Sequence, residues 1–77
     1  MTVNLNRLKA ERVAKGLTQA EMATLMGFKT PAPWTKRENG TIGLGADELG
    51  KAAQILDIPM SNLSIFFTPS VPEREQK

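Results

Sequence analysis

The stretch Thr18 to Gly40, TQAEMATLMGFKTPAPWTKRENG, decides how this chain folds. It opens with Thr18-Gln19-Ala20-Glu21, a capping box. The Thr18 hydroxyl is placed to accept the Glu21 N–H, and the Glu21 carboxylate to reach back to the Thr18 N–H, so a helix starts here. Met22, Ala23 and Met26 follow at i, i+1 and i+4, an apolar stripe that has to pack on something. Gly27 comes next, the residue that takes the left-handed conformation closing a helix at least cost. Thr30-Pro31 reopens the chain as another helix, with Thr30 as the expected N-cap and Pro31 in the first turn. That helix is expected to run through Trp34 to about Asn39 and to stop at Gly40. Two short helices joined by a tight glycine turn have the layout of a helix-turn-helix.

Working outward, residues 1–4 are a lead-in, with Asn4 or Asn6 able to cap a first helix. Leu5, Leu8, Arg12 and Val13 share one side of it, while Arg7, Lys9, Glu11 and Lys15 cover the rest. Gly16 ends it. Leu17 and Met22 then stand at the N′ and N4 positions of a hydrophobic staple around the Thr18 cap. Beyond Gly40, TIGLG (41–45) reads as a loop. A fourth helix begins at Ala46, with Asp47 and Glu48 at its positive end and Leu49, Ala52, Ala53 and Leu56 on one face. Gly50 inside it costs about 0.8–1 kcal/mol relative to alanine, which suggests a close helix contact there. Asp57-Ile58-Pro59 breaks the pattern, and Ser61 to Phe67 reads as a short fifth helix bearing Leu63, Phe66 and Phe67. No run alternates as a strand. The expectation is an all-α, compact five-helix bundle around Leu5, Leu8, Val13, Leu17, Met22, Ala23, Met26, Trp34, Leu49, Ala53, Leu56, Ile58 and Leu63. Residues 1–67 form the domain, and the proline- and charge-rich residues 68–77 a flexible tail.

At 77 residues there is room for one core only. The chain has no cysteine and no histidine, which removes disulfides, thiolate metal sites and the commonest general base. Neither paired carboxylates nor a phosphate loop is present, so an enzyme is the least expected class. No metal or cofactor is expected. No apolar run reaches the ~18 residues of a membrane span, nor is there a signal-peptide pattern, which points to the cytoplasm. Net charge is +2, unevenly spread: residues 1–45 carry seven Lys/Arg against three acids, and residues 46–77 three against five. That asymmetry suits an electropositive face for a polyanion, and equally an ordinary solvated surface.

Several motifs together resemble the phage-repressor and Cro-like helix-turn-helix domains, also called the XRE family. They are Leu17-Thr18-Gln19, Met22-Ala23, Met26-Gly27, Glu38-Asn39-Gly40, and the series Leu49, Ala52-Ala53, Leu56-Asp57-Ile58 and Leu63. The resemblance spans residues 5 to 66 or so. It implies a lambda-repressor-like fold with the helix-turn-helix at helices two and three, double-stranded operator DNA as partner, and the third helix in the major groove. It places phosphate contacts at Thr18, Gln19, Lys29, Asn39, Gly40 and Thr41, and base contacts at Thr30, Ala32, Pro33, Thr35 and Lys36. It also implies a salt bridge from Arg12 to Glu38, tying helix one to the end of the reading helix. Ten residues, FKTPAPWTKR, separate Gly27 from Glu38, one more than family members usually carry. The turn is therefore expected to differ, and Arg37 falls where the family is apolar, its stem packing and its guanidinium reaching outward.

Individual residues keep two readings. Lys36 donates to a guanine edge or is a solvated lysine. Pro31 and Pro33 touch thymine methyls or only stiffen the first turn. Trp34 is a base-stacking platform or core, Gln19 a phosphate donor or a surface amide. Leu25, with Phe66 and Phe67, marks a contact surface or is one tolerated exposed leucine. A single reading helix covers few base pairs, so a homodimer is expected, through Ile65, Phe66 and Phe67. The leading function is a transcriptional regulator of Cro or repressor type from a bacterium or bacteriophage, at the nucleoid when bound to DNA. The alternatives are the antitoxin of a toxin–antitoxin pair, or a protein-interaction module that no longer reads DNA.

Overall fold

The computed structural model describes residues 2–68 and is helical apart from one short ladder. Helix α1, Leu5–Ala14, starts from Asn4, whose Oδ1 accepts the Arg7 N–H at 3.1 Å; the cap is thus Asn4 and not Asn6. Helix α2, Gln19–Met26, opens on both bonds of the Thr18–Glu21 box, at 3.0 and 2.8 Å. At its end Gly27 has φ 95°, the Phe28 N–H reaches Ala23 O and the Gly27 N–H reaches Thr24 O. This is a Schellman closure, and the left-handed residue it needs is what glycine supplies. The same pair of bonds closes α1 around Gly16 and the fourth helix around Asp57. Asp57 holds φ 58° without being glycine and pairs with Lys15, the residue that caps α1.

Helix α3, Ala32–Glu38, departs from expectation at its start. Its N-cap is Pro31, with no side-chain bond, so Thr30 does not cap it. The cause is local: Pro31 already has helical dihedrals (φ −69°, ψ −25°) and its carbonyl accepts the Thr35 N–H at 3.0 Å. The Thr30 hydroxyl is one residue too early. Pro33 then sits in the first turn, where a missing N–H leaves no helix bond unmade. Helix α4, Ala46–Ile55, gains half a capping box, Glu48 Oε1 accepting the Gly45 N–H at 2.9 Å.

The expected short fifth helix, Ser61 to Phe67, is present one residue earlier and in 3-10 form, Met60–Phe66. Seven residues that include Ser61, Asn62 and Ser64 have little intrinsic preference for the α form. Strands β1 (Thr2–Val3) and β2 (Phe67–Thr68) then pair antiparallel, Val3 opposite Phe67, correcting the expectation of no strand. Two residues are too few to show alternation in a sequence. Thr68, assigned to the tail, belongs to this ladder; the rest of the expected tail, 69–77, lies outside the described residues.

Trp34, Phe66, Leu8 and Met22 are fully buried, with Ala23, Met26, Leu49, Ala52, Ala53 and Leu56 around them. Leu5, Leu17, Ile58 and Leu63 pack at the edge. Val13 does not join them: it is 58% exposed, because the inward position in the last turn of α1 is taken by Arg12, at 6%. Gly50 makes no close contact either, since a Cβ there would meet nothing within 4 Å. Among the described residues, no helix is long and apolar enough to cross a membrane.

Candidate nucleic-acid interface

The site is assembled around one buried carboxylate. Trp34 and Glu38 are i and i+4 on α3, so both side chains point into the domain. An unpaired carboxylate there would cost several kcal/mol. Glu38 is not left unpaired. Arg12 holds it at two points, Nε to Oε2 at 2.8 Å and the second guanidinium nitrogen to Oε1 at 3.0 Å. Trp34 Nε1–H donates to Oε2 at 2.8 Å and Gln19 Nε2 to Oε1 at 3.1 Å. The remaining guanidinium nitrogen of Arg12 donates to Leu17 O at 2.6 Å, across the turn before α2. Burial alone raises the Glu38 carboxyl pKa; the bonds from Arg12, Gln19 and Trp34, with the Arg12 charge, outweigh it and hold the group below its ordinary value. Trp34 is therefore core, fully buried with its ring nitrogen committed, and not a stacking platform.

From this centre the network runs outward. Gln19 Oε1 accepts the Thr35 hydroxyl at 3.2 Å, so the Gln19 side chain bridges α2 and α3. Its amide nitrogen keeps one hydrogen beyond the one given to Glu38. Asn39, directly after Glu38, has its Oδ1 occupied by the Thr41 N–H at 2.9 Å and the Thr41 hydroxyl at 2.6 Å. The NH2 end of Asn39 is left to face outward. Gln19, Glu38 and Asn39 line one open polar pocket of about 220 Å³, together with Asn6 and Lys9 of α1.

Ala32, Thr35, Lys36 and Asn39 fall at i, i+3, i+4 and i+7, one face of α3. Ala32, Lys36 and Asn39 are exposed there and Thr35 is half-buried. Thr18 at the start of the unit, Lys29, Thr30 and Pro31 in its turn, and Gly40 and Thr41 at its end are exposed, Thr18 with its hydroxyl committed to the α2 cap. Pro33 is half-buried, and its carbonyl accepts a guanidinium N–H of Arg37 at 2.9 Å. Arg37 corrects its expectation. Its guanidinium does not reach outward: it pairs with Glu48 of α4 at 2.9 Å and lies 4.9 Å over the Phe28 ring.

The contact surface expected from Leu25, Phe66 and Phe67 is corrected too. Phe66 has no exposed surface; it lies in the core beside Leu8 and Trp34. Ile65 and Phe67 are half-buried, Phe67 because it ladders with Val3. Only Leu25 stands out, 49% exposed above a shallow hollow with Leu17, Glu21 and Thr24. Asn6 and Lys9 are the pocket residues that sequence reasoning passed over. Their i, i+3 spacing put them on one side of α1, but nothing local showed that this side borders α3. Compared with models of known families, with curated proteins and with solved structures, the chain matches none.

Proposed function

We propose that this chain is a sequence-specific DNA-binding regulator of transcription, of Cro or repressor type, from a bacterium or bacteriophage. In this reading it acts in the cytoplasm, with α2 and α3 as the helix-turn-helix of a lambda-repressor-like domain. The observation that carries the reading is the division of α3 into two faces. Trp34 and Glu38 are locked inward, while Ala32, Lys36 and Asn39 present an apolar, a cationic and an amide group to solvent. In the major groove Ala32 suits a thymine methyl and Lys36 a guanine O6/N7 edge. Thr18, Gln19, Lys29 and the Asn39-Gly40-Thr41 turn flank this face and serve the phosphates, which fix register without reading sequence.

The regulator acts as a homodimer, since one short reading helix covers too few base pairs to be selective. Phe66 cannot supply that interface. Near it lies an open groove of about 470 Å³ including Val3, Leu44, Leu63 and Phe67, with Met60 65% exposed at its edge.

Selection of bound sequences from a random duplex pool tests the reading. A half-site motif is expected, with a log–log salt slope of about −4 to −5 per monomer for roughly four to six phosphates. Lys36→Ala should cost about 1–3 kcal/mol on the selected site and relax preference at one or two positions. Salt-independent binding, or base preference unchanged without Lys36, refutes α3 as the reading helix. The exposed Leu25 supports a second reading, an antitoxin or interaction module with a protein partner. Failure to enrich any duplex motif would favour it.

A further inference from the structure

Of the asparagines in the chain, Asn39 alone precedes a glycine; Asn4 precedes Leu5, Asn6 precedes Arg7 and Asn62 precedes Leu63. A side chain on the following residue screens the backbone nitrogen between the two, and Gly40 has none. The fold forces that choice: Gly40 holds φ 87°, and a Cβ there would stand 3.3 Å from Leu5 Cδ1. Asn39 is exposed at the C-cap of α3. Its Oδ1 accepts the Thr41 N–H at 2.9 Å, so the side chain folds forward over the Gly40 peptide and carries Cγ toward the Gly40 nitrogen. The Gly40 N–H is held by Arg37 O at 3.3 Å, long for a bond of this kind, at a helix end, where fraying frees it.

We propose that Asn39 is a site of spontaneous deamidation, at which the Gly40 nitrogen displaces ammonia from the Asn39 side chain and leaves a carboxylate in the turn. The Gly40 N–H gives its proton to hydroxide and the nitrogen bonds to Asn39 Cγ. Negative charge then develops on Oδ1, where the Thr41 N–H and, at 2.6 Å, the Thr41 hydroxyl already donate. Donors set in advance on a developing oxyanion lower the barrier. The Cγ–Nδ2 bond breaks as Nδ2 takes a proton from water and leaves as ammonia. Water opens the resulting ring at one of its two carbonyls, giving aspartate or its iso form, in which the main chain runs through Cβ and Cγ. One water enters and one ammonia leaves. The consequence rests on the DNA-binding reading, whereas the chemistry does not. An outward amide that donates becomes a carboxylate that only accepts, so the turn repels the phosphate it serves in that reading. Ageing of the chain thereby releases DNA without a second molecule.

Peptide mapping of the aged full chain decides it. Cleavage after Arg37 and Lys51 isolates residues 38–51, in which Asn39 carries the sole side-chain amide, so a deamidation mass gain there has one source. The gain is expected in the folded protein, faster as hydroxide concentration rises, with Asn4, Asn6 and Asn62 unchanged over the same period. Asn39→Gln should suppress it, and Thr41→Val, which keeps the shape and drops the hydroxyl donor, should slow it severalfold. A gain seen in urea but not in the folded chain means that the helix end shields the site, and overturns the proposal. An unchanged or faster rate in Thr41→Val overturns the activation assigned to the hydroxyl. Asn39→Asp, the product made directly, should remain folded, since it accepts the same Thr41 bonds. It should bind selected and random duplexes at least about tenfold more weakly, through loss of one bond to a charged group. Wild-type duplex binding by Asn39→Asp overturns the release while the modification stands. No duplex binding by the unmodified chain at low salt sinks the DNA reading instead, and the mass gain still decides the chemistry.

Discussion

Breaking the Arg12–Glu38 pair is the perturbation whose outcome can be worked most fully from the structure. The two side chains retain 7% and 2% of their exposure, so neither charge can turn to water when its partner goes. Removal of one member of a buried pair costs about 3–5 kcal/mol. The two single changes are not equivalent. Arg12→Met leaves Glu38 with Trp34 and Gln19 as neutral donors, and a carboxyl can take up a proton, which places this variant at the lower end. Glu38→Leu strands a guanidinium that cannot deprotonate, with only Leu17 O left to it, and frees the Trp34 and Gln19 donors; it belongs at the upper end. The double variant buries no charge. It still orphans Leu17 O and the two donors, at about 1 kcal/mol each less repacking, so about 2 kcal/mol is expected. The chain as a whole has stability of order 5–10 kcal/mol, so these shifts are large. Urea unfolding at constant m reads all four proteins. Single variants each costing under about 1 kcal/mol would mean a pair worth no more than an exposed one, and would falsify the buried-pair account. A double variant equal to the sum of the singles would refute the coupling.

Two further outcomes follow from the same interior. The folded-state pKa of Glu38 is depressed below 4.5, so the unfolded chain binds more protons between the two values. Its contribution should be full above pH 4.5 and be lost as pH falls from there through the folded value; Glu38→Gln should flatten that part of the stability–pH profile, and an identical profile counts against the assignment. Gly50→Ala, in a helix interior with open space beyond its Cα, should stabilise by about 0.8–1 kcal/mol in the same urea assay, and a destabilised variant would show a contact that the structure lacks.

Those residues also mark what could be read in the chain. Helix existence was legible wherever capping chemistry and apolar period agreed: Thr18 with Glu21, the Leu49–Leu56 face and Gly27 all act locally. So was the position of Glu38, because i and i+4 from a buried tryptophan has one geometric meaning. Elements set by distant partners were not legible. The ladder that joins the two ends of the described chain pairs Val3 with Phe67, 64 residues apart, and the neighbouring Phe66 goes into the core. Val13 looked like core because periodicity cannot tell that Arg12, its neighbour, holds the inward position. Asn6 and Lys9 joined the pocket for the same reason: α1 borders α3 in space, and no local pattern records it.

The turn between α2 and α3 shows how tertiary contacts absorb a local irregularity. The ten residues from Phe28 to Arg37 have to leave Gly27 and still bring Glu38 to Arg12. Arg37 fixes both limits of that path. Its guanidinium caps the Phe28 ring at the start of the turn, donates to the Glu48 carboxylate of α4, and donates to the Pro33 carbonyl within α3. An apolar residue at 37 would keep only the first of these. With Arg37 the turn, α3 and the start of α4 are tied at one side chain, on the flank away from Ala32, Lys36 and Asn39. Two charged residues of α3, next to one another in sequence, thus divide the work: Glu38 anchors the helix to α1 and α2, and Arg37 anchors it to α4 and the turn. Held from both sides, α3 is free to present only its third face, which is the face the proposed function uses.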